Sequence, residues 1–180
     1  MEVTGTSFEG LLVLTPRIFS DDRGHFLETW NDRAFRSEIG REITFVQDNE
    51  SVSHQNVLRG LHLQLEPCAQ GKLIHVIHGS VVDVVVDIRP EIATFGQHFK
   101  IELDAISKQM LFIPPGFAHG FLALENNTIF AYKCTKPYDN SSERTILWND
   151  PDLGIDWGVK EPIVSAKDAQ GILFHGNWDR

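Results

Sequence analysis

The sequence predicts an all-β protein, a double-sheet jelly roll with a few short helices. Three observations carry that expectation. Residues 81–88 alternate Val82, Val84, Val86 and Ile88 with Asp83 and Asp87, the period-two pattern of a strand with one drier and one wetter face. Short apolar runs recur at residues 8–15, 26–30, 43–49, 57–65, 72–78, 97–103, 109–113 and 129–134, the spacing of a sandwich or barrel. Between them, Arg89-Pro90, Pro114-Pro115-Gly116 and Glu125-Asn126-Asn127 supply turn chemistry. Among all-β architectures, the jelly roll most readily encloses a small ligand.

Helical signals are few. Residues 32–39 read as a helix, with Asn31 as N-cap and Gly40 as its stop. A short turn starts at Ser165, where Ser-Ala-Lys-Asp resembles a capping box with Asp in place of Glu. No repeat, low-complexity tract or linker interrupts the 180 residues, so one domain over residues 1–180 is expected.

Composition excludes several functions. A net charge of -9 without a run of Lys and Arg argues against nucleic-acid binding. The apolar run at residues 11–14 is too short for a signal peptide, and nothing approaches a membrane span. Cys68 and Cys134 form neither a disulfide framework nor a metal spacing, and read as reduced thiols of a cytoplasmic protein.

In residues 57–65, alternation puts Leu61, Leu63 and Leu65 on one face and His62 with Gln64 on the other. A lone strand histidine is more often structural than catalytic, but Arg59 and Lys72 lie close enough in sequence to converge on one polar cavity with it. A second histidine, His119, follows the rigid turn at residues 114–116. The pair is similar to the two motifs of cupin-type barrels, whose metal-binding members offer His-x-His. Here the second of those positions is Gln64, and losing an imidazole argues against a transition-metal centre. His75 and His78 have opposite parity and read as surface or packing residues. Tyr132 reads alone as a core aromatic with a partnered hydroxyl, Tyr138 and Glu143 as rim residues, and Asp168 as a helix cap.

Taken in order, the motifs resemble the dTDP-4-dehydrorhamnose 3,5-epimerase family, metal-free cupin-like enzymes. The matching stretches include Asp22-Arg23-Gly24-His25-Phe26-Leu27-Glu28, Gln47-Asp48-Asn49, Arg59-Gly60-Leu61-His62, Gly71-Lys72, Thr94-Phe95-Gly96, Pro115-Gly116-Phe117-Ala118-His119-Gly120, Trp148-Asn149-Asp150-Pro151 and Ser165-Ala166-Lys167-Asp168. The resemblance implies His62 as proton acceptor, Tyr132 as proton donor, Asp168 as the carboxylate that orients His62, and Lys72 as the cation stabilising an enolate. It further implies that Arg59, Lys72 and His119 line the sugar and diphosphate. Arg23, Phe26, Glu28, Gln47, Asn49, Glu143 and Lys167 would contact the nucleotide, with Tyr138 stacking near thymine. The Arg23 to Glu28 segment would come from the partner in a homodimer.

That chemistry accounts for the residue types. Removing a proton beside the C4 ketone gives an enolate, which a nearby cation stabilises. Imidazole titrates near ~6.5 and suits the base. Inversion needs an acid on the opposite face, and no nicotinamide or metal cofactor. Three rival readings remain open: an epimerase acting at C3 alone or C5 alone, a non-catalytic sugar-nucleotide-binding barrel, and a metal-dependent cupin oxygenase. Leu63, Cys68 and Gly158 depart from the family pattern.

Overall fold

The computed structural model describes residues 1–40 and 42–175. Its elements run β1 (Glu2–Gly5), β2 (Leu12–Thr15), β3 (Ile18–Asp21), β4 (Gly24–Leu27), α1 (Asp32–Ile39), β5 (Gln47–Ser53), β6 (Leu58–Gln64), β7 (Lys72–His78) and β8 (Ser80–Asp87). There follow β9 (His98–Asp104), β10 (Met110–Ile113), β11 (Phe117–Ala123), β12 (Thr128–Cys134), β13 (Glu143–Thr145) and α2 (Ala166–Ala169). A six-stranded sheet, β1-β2-β10-β7-β12-β5, faces a five-stranded one, β13-β6-β11-β8-β9, while β3 and β4 form a separate two-stranded ribbon among the described residues. The paired strands are antiparallel, as a jelly roll requires.

Alternation decides what lies between the sheets. Ile74, Val76, Leu111, Ile113 and Phe130 from the larger sheet meet Val81, Val85, Leu103, Phe117 and Phe121 from the smaller. Phe121 and Phe130 stack across the gap with ring centroids 4.1 Å apart. The outer faces are covered too. Leu58, Leu61, Leu63, Val84, Val86 and Leu122 pack under Ile146, Leu153, Trp157 and Phe174. On the larger sheet, Leu14, Leu73, Met110 and Phe112 pack under Phe35 of α1, helped by Trp30 and Phe45. Each buried Leu, Val or Phe contributes about 1.5–3 kcal/mol of apolar burial.

The α1 caps match expectation: Asn31 Oδ1 accepts the Ala34 N–H at 3.0 Å, and Gly40 takes φ 71° while its N–H bonds Arg36 O. Other expectations need correction. The strand expected at residues 43–49 forms instead as β5, because Ile43 and Phe45 are drawn under α1 before pairing begins. The run at 26–30 is β4, ending at Leu27, with Trp30 turned onto Phe35 and Phe45. Strands β1, β3, β11 and β13 were not foreseen; β11 lies at the centre of its sheet. Most informative is β8, whose supposedly wet face is dry: Asp83 and Asp87 are both fully buried.

Strand β6 bends where it matters. Its pairing with β11 runs His62 to His119 and then Arg59 to Phe121, so β6 carries an extra residue between them. Gly60 sits there with φ 130°, and a Cβ on it would lie 2.5 Å from Gly120 Cα and 2.8 Å from His119 O. Both the backbone conformation and the contact demand glycine. Gly60→Ala is therefore expected to destabilise the fold by more than ~2 kcal/mol. Urea unfolding followed by circular dichroism measures it, and a midpoint equal to the parent's would contradict the steric account.

Candidate active site

The two sheets are apolar at one end and polar at the other. Strand β6 presents His62 to the polar end, where its Nε2 lies 2.6 Å from Asp168 Oδ1. Asp168 comes from α2, 106 positions away in the chain. Ser165 caps that single turn by accepting the Asp168 N–H at 3.0 Å, which is half of the expected capping box. The other half is absent, because the Asp168 carboxylate turns inward to His62 and, at 3.5 Å, to the Gly60 N–H. Burial pushes this carboxyl up, but the hydrogen bond and charge of His62, with the Gly60 and Ser165 contacts, outweigh it and hold the pKa below the usual range. The carboxylate thus stays ionised and fixes the imidazole's orientation.

Facing His62 across a cavity of about 300 Å³ are Lys72 of β7 and Tyr132 of β12, with Gln47 and Asn49 of β5 beside them. Burial pushes the Tyr132 phenol up, reinforced by Cys134 and Glu143 against Arg59, so the hydroxyl remains a proton donor. Burial lowers the Lys72 ammonium, with Cys134, Asp83 and Glu143 pulling the other way. Gln47 Nε2 donates to Asn49 Oδ1 at 2.9 Å, and Asn49 Nδ2 to Cys134 Sγ at 3.6 Å, which fixes both amides on the wall.

At the mouth, Tyr138 donates its hydroxyl to Glu143 Oε2 at 2.7 Å and its backbone N–H to Gln47 Oε1 at 2.8 Å. Lys167 Nζ donates to the same Glu143 oxygen. Burial raises the Glu143 carboxyl, yet the bonds from Lys167 and Tyr138 win and lower it. Gln64, the residue that replaces a metal-ligating histidine in the motif, spends its amide on structure. It donates to Cys68 O and Pro137 O and accepts from Asp139 N, pinning two loops of the rim.

Not every expected residue joins this cavity. Arg59 lines an adjoining groove with His62, Lys167 and Asp168, its guanidinium bonded to Ser53 Oγ and Val52 O. Arg23 and Phe26 lie on the β3–β4 ribbon, in a separate depression; the Arg23 side chain is 89% exposed and among the described residues bonds Asp21, while Phe26 is 67% exposed. Glu28 accepts from Asn31 Nδ2 at the start of α1. Within a single chain these three stand apart from His62.

One group was missed. His119 is buried with its Nε2 2.8 Å from Asp83 Oδ2, forming a second His–Asp pair on the inner face of the smaller sheet. Asp83 Oδ1 is buried without a hydrogen bond among the described residues. The available signal was an acid inside the run Val81-Val82-Asp83-Val84-Val85-Val86: such a continuous apolar run marks a strand dry on both faces, where a carboxylate must be paired. Conversely, two matched stretches are structural. Thr94 donates to Asp87 at 2.6 Å beside Arg89, which lies over the Phe117 ring. Asp150 accepts from the Asp152, Leu153 and Phe174 N–H groups, tying the segment at 174 to the 150s loop. Leu63 is a core residue of the outer layer, so its departure from the family pattern touches packing.

A carboxylate-held imidazole facing a protonated phenol across a cavity, with a buried ammonium beside them, suits proton removal and return on opposite faces of a carbon acid. Comparison with known proteins points the same way. A family profile described as dTDP-4-dehydrorhamnose 3,5-epimerase matches residues 5–175. The epimerase of that name from Salmonella typhimurium is 51% identical over 175 residues, 97% of this chain and 96% of its own. The Legionella pneumophila enzyme, solved in complex with dTDP-4-keto-L-rhamnose, superposes with a TM-score of 0.92 at 42% identity, covering 96% of this chain and 92% of its own. A 3′-monoepimerase from Streptomyces bikiniensis, solved with dTDP-quinovose, gives a TM-score of 0.89 at 33% identity, covering 94% and 86%. Profile, identity and superposition each span nearly the whole chain, and the chain belongs to the dTDP-4-dehydrorhamnose 3,5-epimerase family.

Proposed function

We propose that the protein converts dTDP-4-dehydro-6-deoxy-D-glucose to dTDP-4-dehydro-L-rhamnose by inverting C3 and C5 in dTDP-L-rhamnose synthesis. The observation that carries this reading is the arrangement of His62, held by Asp168, across one cavity from Tyr132 and Lys72. His62 removes the proton beside the C4 ketone. The electron pair moves onto the C4 oxygen, which the Lys72 ammonium stabilises as charge develops. Tyr132, kept protonated by burial, returns a proton from the opposite face. Each inversion leaves His62 protonated and Tyr132 as its phenolate. His62 gives its proton to water and Tyr132 takes one back before the second carbon is inverted. Because no electrons are gained or lost, the chemistry calls on no nicotinamide.

Tyr138, Glu143 and Lys167 at the mouth, with Gln47 and Asn49 on the wall, are the groups we assign to the nucleotide; Arg59 and His119 serve the sugar and diphosphate. The working unit is a homodimer, supported by the β3–β4 ribbon, which among the described residues pairs with no other strand and holds Ile18, Phe19 and Phe26 in solvent. A ribbon of that kind suits a partner's cavity, to which Arg23, Phe26 and Glu28 would be delivered. Cytoplasmic residence belongs to the same reading, supported by the free thiols of Cys68 and Cys134. Among the described residues, no helix is long and apolar enough to cross a membrane.

Turnover in deuterium oxide, followed by proton NMR, is expected to place label at both C3 and C5; label at one carbon would reassign the protein as a monoepimerase. His62→Asn should abolish exchange while calorimetry still records dTDP binding, and residual exchange at parental rate would remove His62 from the base role. Prolonged chelation should leave turnover unchanged, and a loss restored by iron, nickel or zinc would favour an oxygenase.

The dimer has its own test. Arg23→Ala combined with Phe26→Asp inactivates one parent and His62→Asn the other; after mixing and subunit exchange, about a quarter of the wild-type activity should return, because half the dimers are mixed and each has one intact site. No recovery from dimers shown to have exchanged would refute a shared site.

A pH experiment follows from Asp168. Its folded pKa lies below the unfolded value near ~3.9, so ionisation favours the folded state; that stability is full above the unfolded pKa and disappears as pH falls through the folded one. Asp168→Asn should cost about 1–3 kcal/mol at pH 7, with the gap from wild type narrowing below ~pH 4. Urea titrations at stepped pH measure it, and a gap that stays constant into acid would contradict the assignment.

A further inference from the structure

Lys167 and Asp168 are neighbours on one helical turn, yet they bond to different parts of the cavity wall. Asp168 holds His62 on β6, and Lys167 bonds Glu143, the first residue of β13. Strand β13 pairs with β6, Glu143 opposite Gln64 and Thr145 opposite His62. These links close a ring from His62 through α2 and β13 back to the strand that carries His62.

The segment holding α2 is anchored on both sides by backbone. Before it, Leu58 N donates to Ile163 O at 2.9 Å and Ile163 N to Asn56 O at 2.7 Å; after it, Leu147 N donates to Ile172 O and Ile172 N to Thr145 O. Between those anchors, among the described residues, the side-chain hydrogen bonds tying α2 to the rest of the protein are those of Lys167 and Asp168. A single turn has little stability of its own, so its seat is set by what its side chains hold. The Lys167 side chain is 51% exposed, and an ion pair so open to water adds little to folding. Its effect is on position. Glu143 is also gripped by Tyr138, which puts this second link at the mouth of the cavity.

We propose that Lys167 and Glu143 are positioning residues for the base: nucleotide engaged at Tyr138, Glu143 and Lys167 seats α2 so that Asp168 stays on His62. The inference rests on the epimerase reading above. It assigns part of the nucleotide's binding energy to alignment of the reacting groups, so that losing the link lowers turnover and not affinity alone.

The test is a double-mutant cycle of Lys167→Met with Asp168→Asn, accompanied by Lys167→Arg and Glu143→Gln. The readouts are kcat, KM, the pH profile of kcat, and dTDP affinity by calorimetry. Lys167→Met is expected to lower kcat about tenfold and to move the acidic limb of its pH profile. Glu143→Gln should do the same from the other end of the link, and Lys167→Arg should recover most of the turnover. In the Asp168→Asn background, Lys167→Met should cost no further kcat, because the seat it maintains has already lost its purpose. Losses that multiply in the double variant, or a raised KM with kcat and its pH profile unchanged, would overturn the inference. Absence of epimerisation by the wild-type protein would instead overturn the functional reading beneath it.

Discussion

A carboxylate buried to the extent of Asp168 survives in ionised form only where donors surround it, and much of the site is organised to supply them. The bond to His62 needs residues 106 positions apart to meet within 2.6 Å. That meeting rests on the parallel bridges Val57 to Ile163 and Ile146 to Ile172, just outside β6 and the edge strand β13, which lay the segment with α2 beside them. It also rests on the extra residue in β6 at Gly60, which offers its own N–H to Asp168 and aims His62 inward. Backbone geometry at one glycine and the charge state of one acid are therefore parts of a single arrangement.

The same logic orders the interior as a whole. Rings and branched side chains fill most of the space between the sheets, and Asp87, Arg89 and Thr94 hydrogen-bond to one another beside Phe117. At the polar end the ionisable groups come as opposed pairs, His62 with Asp168 and His119 with Asp83, around the Lys72 ammonium. These pairs lie against the rings: His119 lies over Phe130 at 6.0 Å, and Phe130 stacks on Phe121. Interactions at the polar end act in a medium screened less than water, so small displacements of these groups change their energies appreciably.

How much was legible in the sequence follows from what kind of information each feature needs. The jelly roll, α1 with both caps, and the paired faces of β6 are local patterns, and local patterns set them. His62, Tyr132 and Lys72 could be singled out because the motifs that resemble the family are long and ordered, and the three line one cavity. From the local sequence Asp168 read as a helix cap, and only the family resemblance assigned it to His62, since its partner is distant and nothing local distinguishes an inward carboxylate from one that completes a capping box. Asp83 was misread because period-two alternation tells which residues share a face and is silent about whether that face is wet. The start of β5 slipped for a tertiary reason: Ile43 and Phe45 look like strand residues but serve the cover over the larger sheet.

The β3–β4 ribbon has a consequence for how tolerance to change is distributed along the chain. Among the described residues Arg23 bonds to Asp21 two residues before it, and its side chain lies almost wholly in solvent. Replacing it removes nothing that the chain's own core depends on. A survey of variants scored by the abundance of folded protein would therefore pass changes at Arg23, while one scored by turnover would weigh them by what the ribbon does beyond its own chain. The difference between those two maps would trace the ribbon's outline with no coordinates in hand.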